Sequence, residues 1–261
     1  MTIQQYAVRT IRGEYQGCLE VRKAAEVIYR KNDASAYYIG NNIEGGPGIP
    51  EIKPGTDITG SGQPEVLVGS WSGGAHCCFG FQVLQLGKEF KVLATLDAKD
   101  SGGAHFEDIN HDAKYEFIAD DWAFAYWHTS FAESPAPTVI LRPKAEENSY
   151  VEYHLALDLM SKPAPTRAQL DSTIASIKSD EAWDKDVPPV LWRAMLDLIY
   201  TGHPDLAWEI WDQSWPAKKP GKAGFLGAFC ERLSTSDYFY DLSDTLQGHP
   251  ADCFLGNFGP G

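Results

Sequence analysis

The chain has 261 residues, 43% of them hydrophobic, with 8 Trp, 12 Tyr and 12 Phe, enough to bury a sizeable core in one or two domains. Its formal net charge is −14 and its pI about 4.8, with Lys and Arg scattered along the sequence. That balance excludes a nucleic-acid binder, which needs a basic face to displace counterions. The same negative field attracts divalent cations and repels anionic lipid.

No apolar run approaches the roughly 20 residues of a membrane-spanning helix. The opening Met1-Thr-Ile-Gln-Gln5 lacks the basic start and apolar stretch of a secretory signal. Two settings fit: a cytoplasmic protein, or an extracytoplasmic one, periplasmic or secreted, whose leader has been removed.

Residues 1–157 read as strands and turns. Leu19-Glu-Val-Arg22 and Glu26-Val-Ile-Tyr-Arg30 alternate in polarity and predict a hairpin. Residues 41–59 are rich in Gly and Pro and predict a long loop. Strands are then predicted at Glu65-Val-Leu-Val68, Phe79–Leu86, Phe90–Leu96, Tyr115–Ala119, Thr138–Arg142 and Tyr150–His154. Short β runs punctuated by Gly, Asp and Asn point to an antiparallel meander with propeller-blade-like repeats. Too few units are present to close a conventional ring, so an open or stacked sheet is expected.

The pattern changes after Met160. Ser161-Lys-Pro-Ala-Pro165 reads as a linker and Thr166 as an N-cap, followed by Leu170, Ile174 and Ile177 at helical spacing. Pro188-Pro189 opens a second helix, with Gly202 as its C-terminal stop, and Pro204 opens a third. Phe225, Leu226, Phe229 and Leu233 mark a fourth, and the tail from His249 reads as irregular. The expected fold class is α+β: a β domain at 1–157 followed by a small helical domain at 158–261.

Two loop segments echo each other. Asp57-Ile-Thr-Gly-Ser-Gly-Gln-Pro-Glu65, within 55–70, is answered by Asp108-Ile-Asn-His-Asp-Ala-Lys-Tyr-Glu116, within 106–121. The two starts lie 51 residues apart, close to the length of one four-stranded blade. Both place oxygen-bearing side chains at loop positions 1, 3, 5 and 9. Alternate residues of a tight loop converge on one point, which suits calcium and its six to eight oxygen ligands. The second loop is the stronger candidate, with Asp108, Asn110, Asp112, Glu116 and the carbonyl of Lys114. The first is weaker, because Thr59 and Ser61 replace acids and leave only Asp57 and Glu65 charged. Gly60 and Gly62 suit positive φ in the first loop, whereas His111 and Ala113 replace them in the second. Without an ion, both would be Asx-turns capped by side-chain hydrogen bonds. Neither is an EF-hand, since position 12 is Val68 or Ala119.

On these residues, Asp57-x-Thr-Gly-Ser-Gly-x-Pro-Glu65-Val-Leu-Val and Phe106-x-Asp-Ile-Asn-His-Asp-x-x-Tyr-Glu-Phe117, the chain resembles FG-GAP/VCBS-type repeats over about 55–125. The family includes the calcium-loop blades of integrin α-chains and many secreted bacterial proteins. The resemblance implies β blades, calcium in the loops, an extracytoplasmic setting and a binding or structural role. The chain also resembles uncharacterised bacterial proteins that bear a Gly-Gly-Ala-His-Cys-Cys segment, here Gly73–Cys78.

A second echo, Ser72-Gly-Gly-Ala-His76 and Ser101-Gly-Gly-Ala-His105, suggests repeated structure around two histidines. With His128 and Asp121 they form an alternative metal or catalytic set, suited to zinc or to acid–base work. Their separate segments show no His-x-His or His-x-x-x-His spacing. Trp122, Tyr126 and Trp127 read either as core or as ligand-stacking aromatics. Of the five cysteines, Cys230 and Cys253 could bridge, and Cys18 could pair with Cys77 or Cys78. A bond between adjacent Cys77 and Cys78 requires a strained ring and is not expected. No nucleophile elbow, phosphate loop or dinucleotide fingerprint appears.

The leading expectation is a non-enzymatic, calcium-stabilised binding or structural protein that engages a protein or glycan partner. A metal-dependent hydrolase of cell-wall or glycan material is the alternative, and a subunit of an extracellular assembly a third. The sequence does not specify an oligomeric state.

Overall fold

A computed structural model describes residues 1–13, 16–41, 48–145, 150–243 and 245–246. The expected irregular tail and Cys253, with its proposed bond to Cys230, lie outside the described residues. The fold class is α+β, with a strand-rich N-terminal part and helices mostly toward the C-terminus.

Among the described residues, three four-stranded antiparallel sheets form, each a meander of consecutive strands. Sheet 1 comprises β1 (Thr2–Ile3), β2 (Tyr6–Ile11), β3 (Cys18–Lys23) and β4 (Glu26–Lys31). Sheet 2 comprises β5 (Ala36–Ile39), β6 (Glu65–Trp71), β7 (Phe79–Leu86) and β8 (Phe90–Lys99). Sheet 3 comprises β9 (His105–Glu107), β10 (Glu116–Asp120), β11 (Thr138–Ala145) and β12 (Val151–Leu155). Strands β1, β2, β5 and β9 carry too short or too mixed a pattern to be expected from sequence.

Side-chain alternation sets the layering. Tyr6, Val8, Leu19, Val21, Tyr37, Val66, Val68, Leu84 and Leu86 form one buried cluster that joins sheets 1 and 2. On the opposite parity of β7, Phe81 lies 5.6 Å from both Phe106 and Phe117 of sheet 3 (ring centroids). Sheet 2 is therefore covered on both faces, which explains why β6 and β7 are almost continuously buried. Asn41 fastens β9 at the start of sheet 3. Its amide nitrogen donates to the Phe106 carbonyl at 2.7 Å, and its oxygen accepts the Phe106 N–H at 2.6 Å.

The helices are α1 (Leu157–Met160), α2 (Arg167–Lys178), α3 (Pro189–Tyr200), α4 (Pro204–Ser214), α5 (Lys222–Leu233) and α6 (Phe239–Ser243). The Thr166 cap is a full capping box: Gln169 N–H donates to its hydroxyl, and its own N–H donates back to Gln169 Oε1. Pro at the first position opens both α3 and α4.

Two compact units are distinguished, Met1–Asp120 with Ile140–His154, and Asp121–Val139 with Leu155–Gly261. Residues 121–139, inside the expected 1–157 domain, thus group with the helices. Within that second unit, Trp127 meets Trp192 at 5.3 Å and Phe225 at 5.0 Å, and Trp211 meets Trp215 at 4.9 Å.

Two cysteine expectations are corrected. Cys77 and Cys78 are bonded to each other, and Cys18 carries a free thiol. Cys18 opens β3 of sheet 1, and Cys77 and Cys78 end the turn between β6 and β7.

Candidate metal centre

The two echoing loops occupy equivalent places. Residues 57–65 connect the first and second strands of sheet 2, and residues 108–116 do the same in sheet 3. They are also neighbours, since Tyr115 N–H donates to the Ile58 carbonyl at 2.9 Å.

Their backbones match. Gly60 and Gly62 adopt φ of 77° and 73°, and His111 and Ala113 adopt 59° and 65° at the same positions. His111 and Ala113 thus hold the second loop in the same conformation without glycine. The side-chain scaffold matches as well. Asp57 accepts the N–H of Ser61 and of Gly62, each at 2.8 Å. Asp108 accepts the N–H of Asp112 at 3.0 Å and of Ala113 at 3.1 Å.

At position 9 both glutamates are fully buried. Glu65 Oε2 accepts the N–H groups of Ile58 and Thr59, and Oε1 accepts the hydroxyls of Thr59 and Ser61. Burial pushes its pKa up despite these four donors. The first loop thus satisfies its buried carboxylate with its own N–H and hydroxyl groups.

The second loop is built differently. Glu116 Oε2 accepts the Ile109 N–H at 3.1 Å, and Arg142 Nε stands 3.7 Å from Oε1. The Asn110 amide nitrogen lies 3.2 Å from Glu116 Oε1 and 3.3 Å from Asp112 Oδ2. Positions 3, 5 and 9 therefore meet through the Asn110 NH2, which donates to both carboxylates, while the Asn110 Oδ1 accepts the Asp112 N–H at 3.0 Å. Carboxylate and amide oxygens are the kind of ligand that a hard cation takes. Among the described residues, no group of three or more His, Cys, Asp or Glu side chains is already drawn together as a metal cluster.

The histidines are placed separately. His76 is exposed in the turn between β6 and β7, whereas His105 begins β9 with its Nδ1 2.8 Å from the Gly103 carbonyl. The Ser-Gly-Gly-Ala-His echo thus lacks structural equivalence: one copy joins the second and third strands of sheet 2, the other joins sheet 2 to sheet 3. His128 belongs to the second unit, 3.6 Å from Asp186, beside a cleft that also presents Glu133, Glu181 and Asp184.

Asp121 is a buried anchor of that unit. Its Oδ2 accepts the Tyr200 hydroxyl and the Ser236 hydroxyl, the latter at 2.5 Å, and Oδ1 accepts the Ala123 N–H. Burial, then the charge of Asp121, drives the Tyr200 pKa well above its ordinary value. Trp122 stacks on Phe131 at 4.6 Å, and Trp127 packs among aromatics. Tyr126 alone of the three is well exposed, at 63%.

No family model matches the chain, and no solved structure matches it. It is 36% identical over 79 residues to a probable thylakoid lumen protein of Synechocystis, covering 30% of this chain and 23% of that one. It is 27% identical over 169 residues to an uncharacterised protein of Sinorhizobium fredii, covering 59% of this chain and 24% of that one. The matched parts span about a quarter of those relatives' length.

Proposed function

We propose that this is a non-enzymatic, calcium-stabilised binding or structural protein of an extracytoplasmic compartment, with calcium held in the loop 108–116. Asp108, Asn110, Asp112, Glu116 and the Lys114 carbonyl are the ligands. The observation that carries the reading is the retained loop shape. His111 and Ala113 keep positive φ without glycine's freedom, at a cost of about 1–2 kcal/mol each. A bound cation offsets that cost and fixes a loop whose Asn110 and Asp112 are exposed.

The setting is supported by the lumenal description of the Synechocystis relative. No helix among the described residues is long and apolar enough to cross a membrane. Tyr126, backed by Phe131 at 5.4 Å, is an exposed aromatic suited to a protein or glycan partner.

A thermal melt of metal-stripped protein, with calcium, magnesium or zinc returned separately, tests the ion site. Calcium at 100-fold its Kd adds about 2.7 kcal/mol, a rise of roughly 5–10 °C for a chain of this size. The rise is expected with calcium, and Asp112→Asn should reduce it to a small fraction. No calcium shift, or an undiminished shift in Asp112→Asn, sinks the assignment.

A further inference from the structure

A disulfide stabilises a fold chiefly by closing a chain loop in the unfolded state, and the effect grows with loop length. The Cys77–Cys78 bond joins neighbours in sequence and closes no loop. The turn that carries it is already held by other groups. Trp71 pairs with Phe79 at the ends of β6 and β7. Ser72 N–H donates to the Cys78 carbonyl at 2.9 Å, and its hydroxyl donates to the Cys77 carbonyl at 2.7 Å while accepting the Cys78 N–H at 2.5 Å. Ser35 donates its hydroxyl to the Ser72 carbonyl at 2.6 Å, and Trp71 Nε1 donates to the Gly74 carbonyl.

The bond is also accessible. Cys78 is exposed and Cys77 half-buried. Cys78 lines a cleft of about 300 Å³ whose other walls include Ser70, Gln82, Thr95 and Asp97. An accessible sulfur at a cleft, beside a hairpin whose strand pairing does not involve it, is placed for chemistry more than for support.

We propose that Cys77–Cys78 is a reversible thiol–disulfide exchange site, with a dithiol, free or on a partner protein, as its reductant. One thiolate of the dithiol attacks Cys78 Sγ. A mixed disulfide forms, the Cys77–Cys78 bond breaks, and Cys77 leaves as a thiolate that takes up a proton. The second thiolate then attacks the sulfur bonded to Cys78, releasing Cys78 as a thiol. Two electrons and two protons pass to the pair, and the dithiol departs as a disulfide. The hairpin persists in both states because the pairing of β6 with β7 does not involve sulfur. This site does not rest on the calcium reading.

The test treats the folded chain with dithiothreitol in native buffer, followed by iodoacetamide and peptide mapping. Both Cys77 and Cys78 should be alkylated while the circular dichroism spectrum stays unchanged. Oxidised glutathione should restore the bond and block alkylation. A Cys77→Ser/Cys78→Ser variant should melt within a few degrees of the parent. Resistance to reduction until the chain unfolds, or failure to reoxidise, overturns the proposal. So does a loss of native spectrum on reduction, or a large fall in the melting temperature of the double variant.

Discussion

Glu65 has no exposed surface and receives four donated protons, two from backbone N–H groups and two from hydroxyls. Glutamine there would turn an NH2 toward two of those donors, and leaving buried polar groups unmatched costs about 1–3 kcal/mol each. Glu65→Gln should therefore lower stability by that order in urea denaturation. Burial holds the Glu65 pKa above its ordinary 4.5, so the folded chain keeps a proton that the unfolded chain has lost. The resulting stability is complete below the unfolded value and is lost as pH rises through the folded one. The variant should lack that part of the profile. At position 6 of the second loop, Ala113 sits at φ 65° where the first loop has Gly62. Ala113→Gly should raise stability by about 0.5–1 kcal/mol, since relief of the left-handed strain outweighs the entropy of glycine. A fall in the urea midpoint would contradict the strain argument.

At the level of elements, sheet 1 carries a carboxylate among guanidiniums. Glu20 of β3 faces Arg9 of β2 and Arg30 of β4 in register. It is 3% exposed and bonded to both, with Arg22 at 3.4 Å. The hydrogen bond from Arg30, then that from Arg9, holds its pKa down to about 2 from the ordinary 4.5. The sign is opposite to that of Glu65: this stability is present above 4.5 and is lost as pH falls toward 2. Glu20→Gln should flatten the acid limb of an unfolding curve over that window, and an unchanged limb would refute the pairing. The helical elements were legible for a simple reason. Thr166 with Gln169, Pro189 and Pro204 act within one turn of themselves, so their effects survive any tertiary context. Strand β5, of four residues, pairs with β6 across a long connection, and β9, of three residues, forms only where the 108–116 loop returns β10 beside it.

For the whole molecule, the junction of sheets 2 and 3 is aromatic. Phe106 lies 5.0 Å from Phe117, 5.6 Å from Phe81 and 5.8 Å from Tyr153, and it has no exposed surface. Phe106→Ala should cost about 3–5 kcal/mol, read as a lowered urea midpoint with the slope unchanged. A cost below 1 kcal/mol would mean that the two sheets do not share a core. Composition and periodicity alone determined the acidic, ordered character of the chain, the α+β class, most strand cores and the helix starts. They also located the paired loops, because Asp and Glu at positions 1 and 9 are local signals. The structure decided that both loops share one backbone although only one has glycines, the Asp at position 1 accepting the same two N–H groups in each and Tyr115 to Ile58 setting the loops side by side. It decided that the two Ser-Gly-Gly-Ala-His segments are unrelated in place, that Asp121 is a buried anchor, and that residues 121–139 group with the helices. Each of these depends on which distant strand or helix supplies the facing atoms, and a linear pattern does not encode that partner.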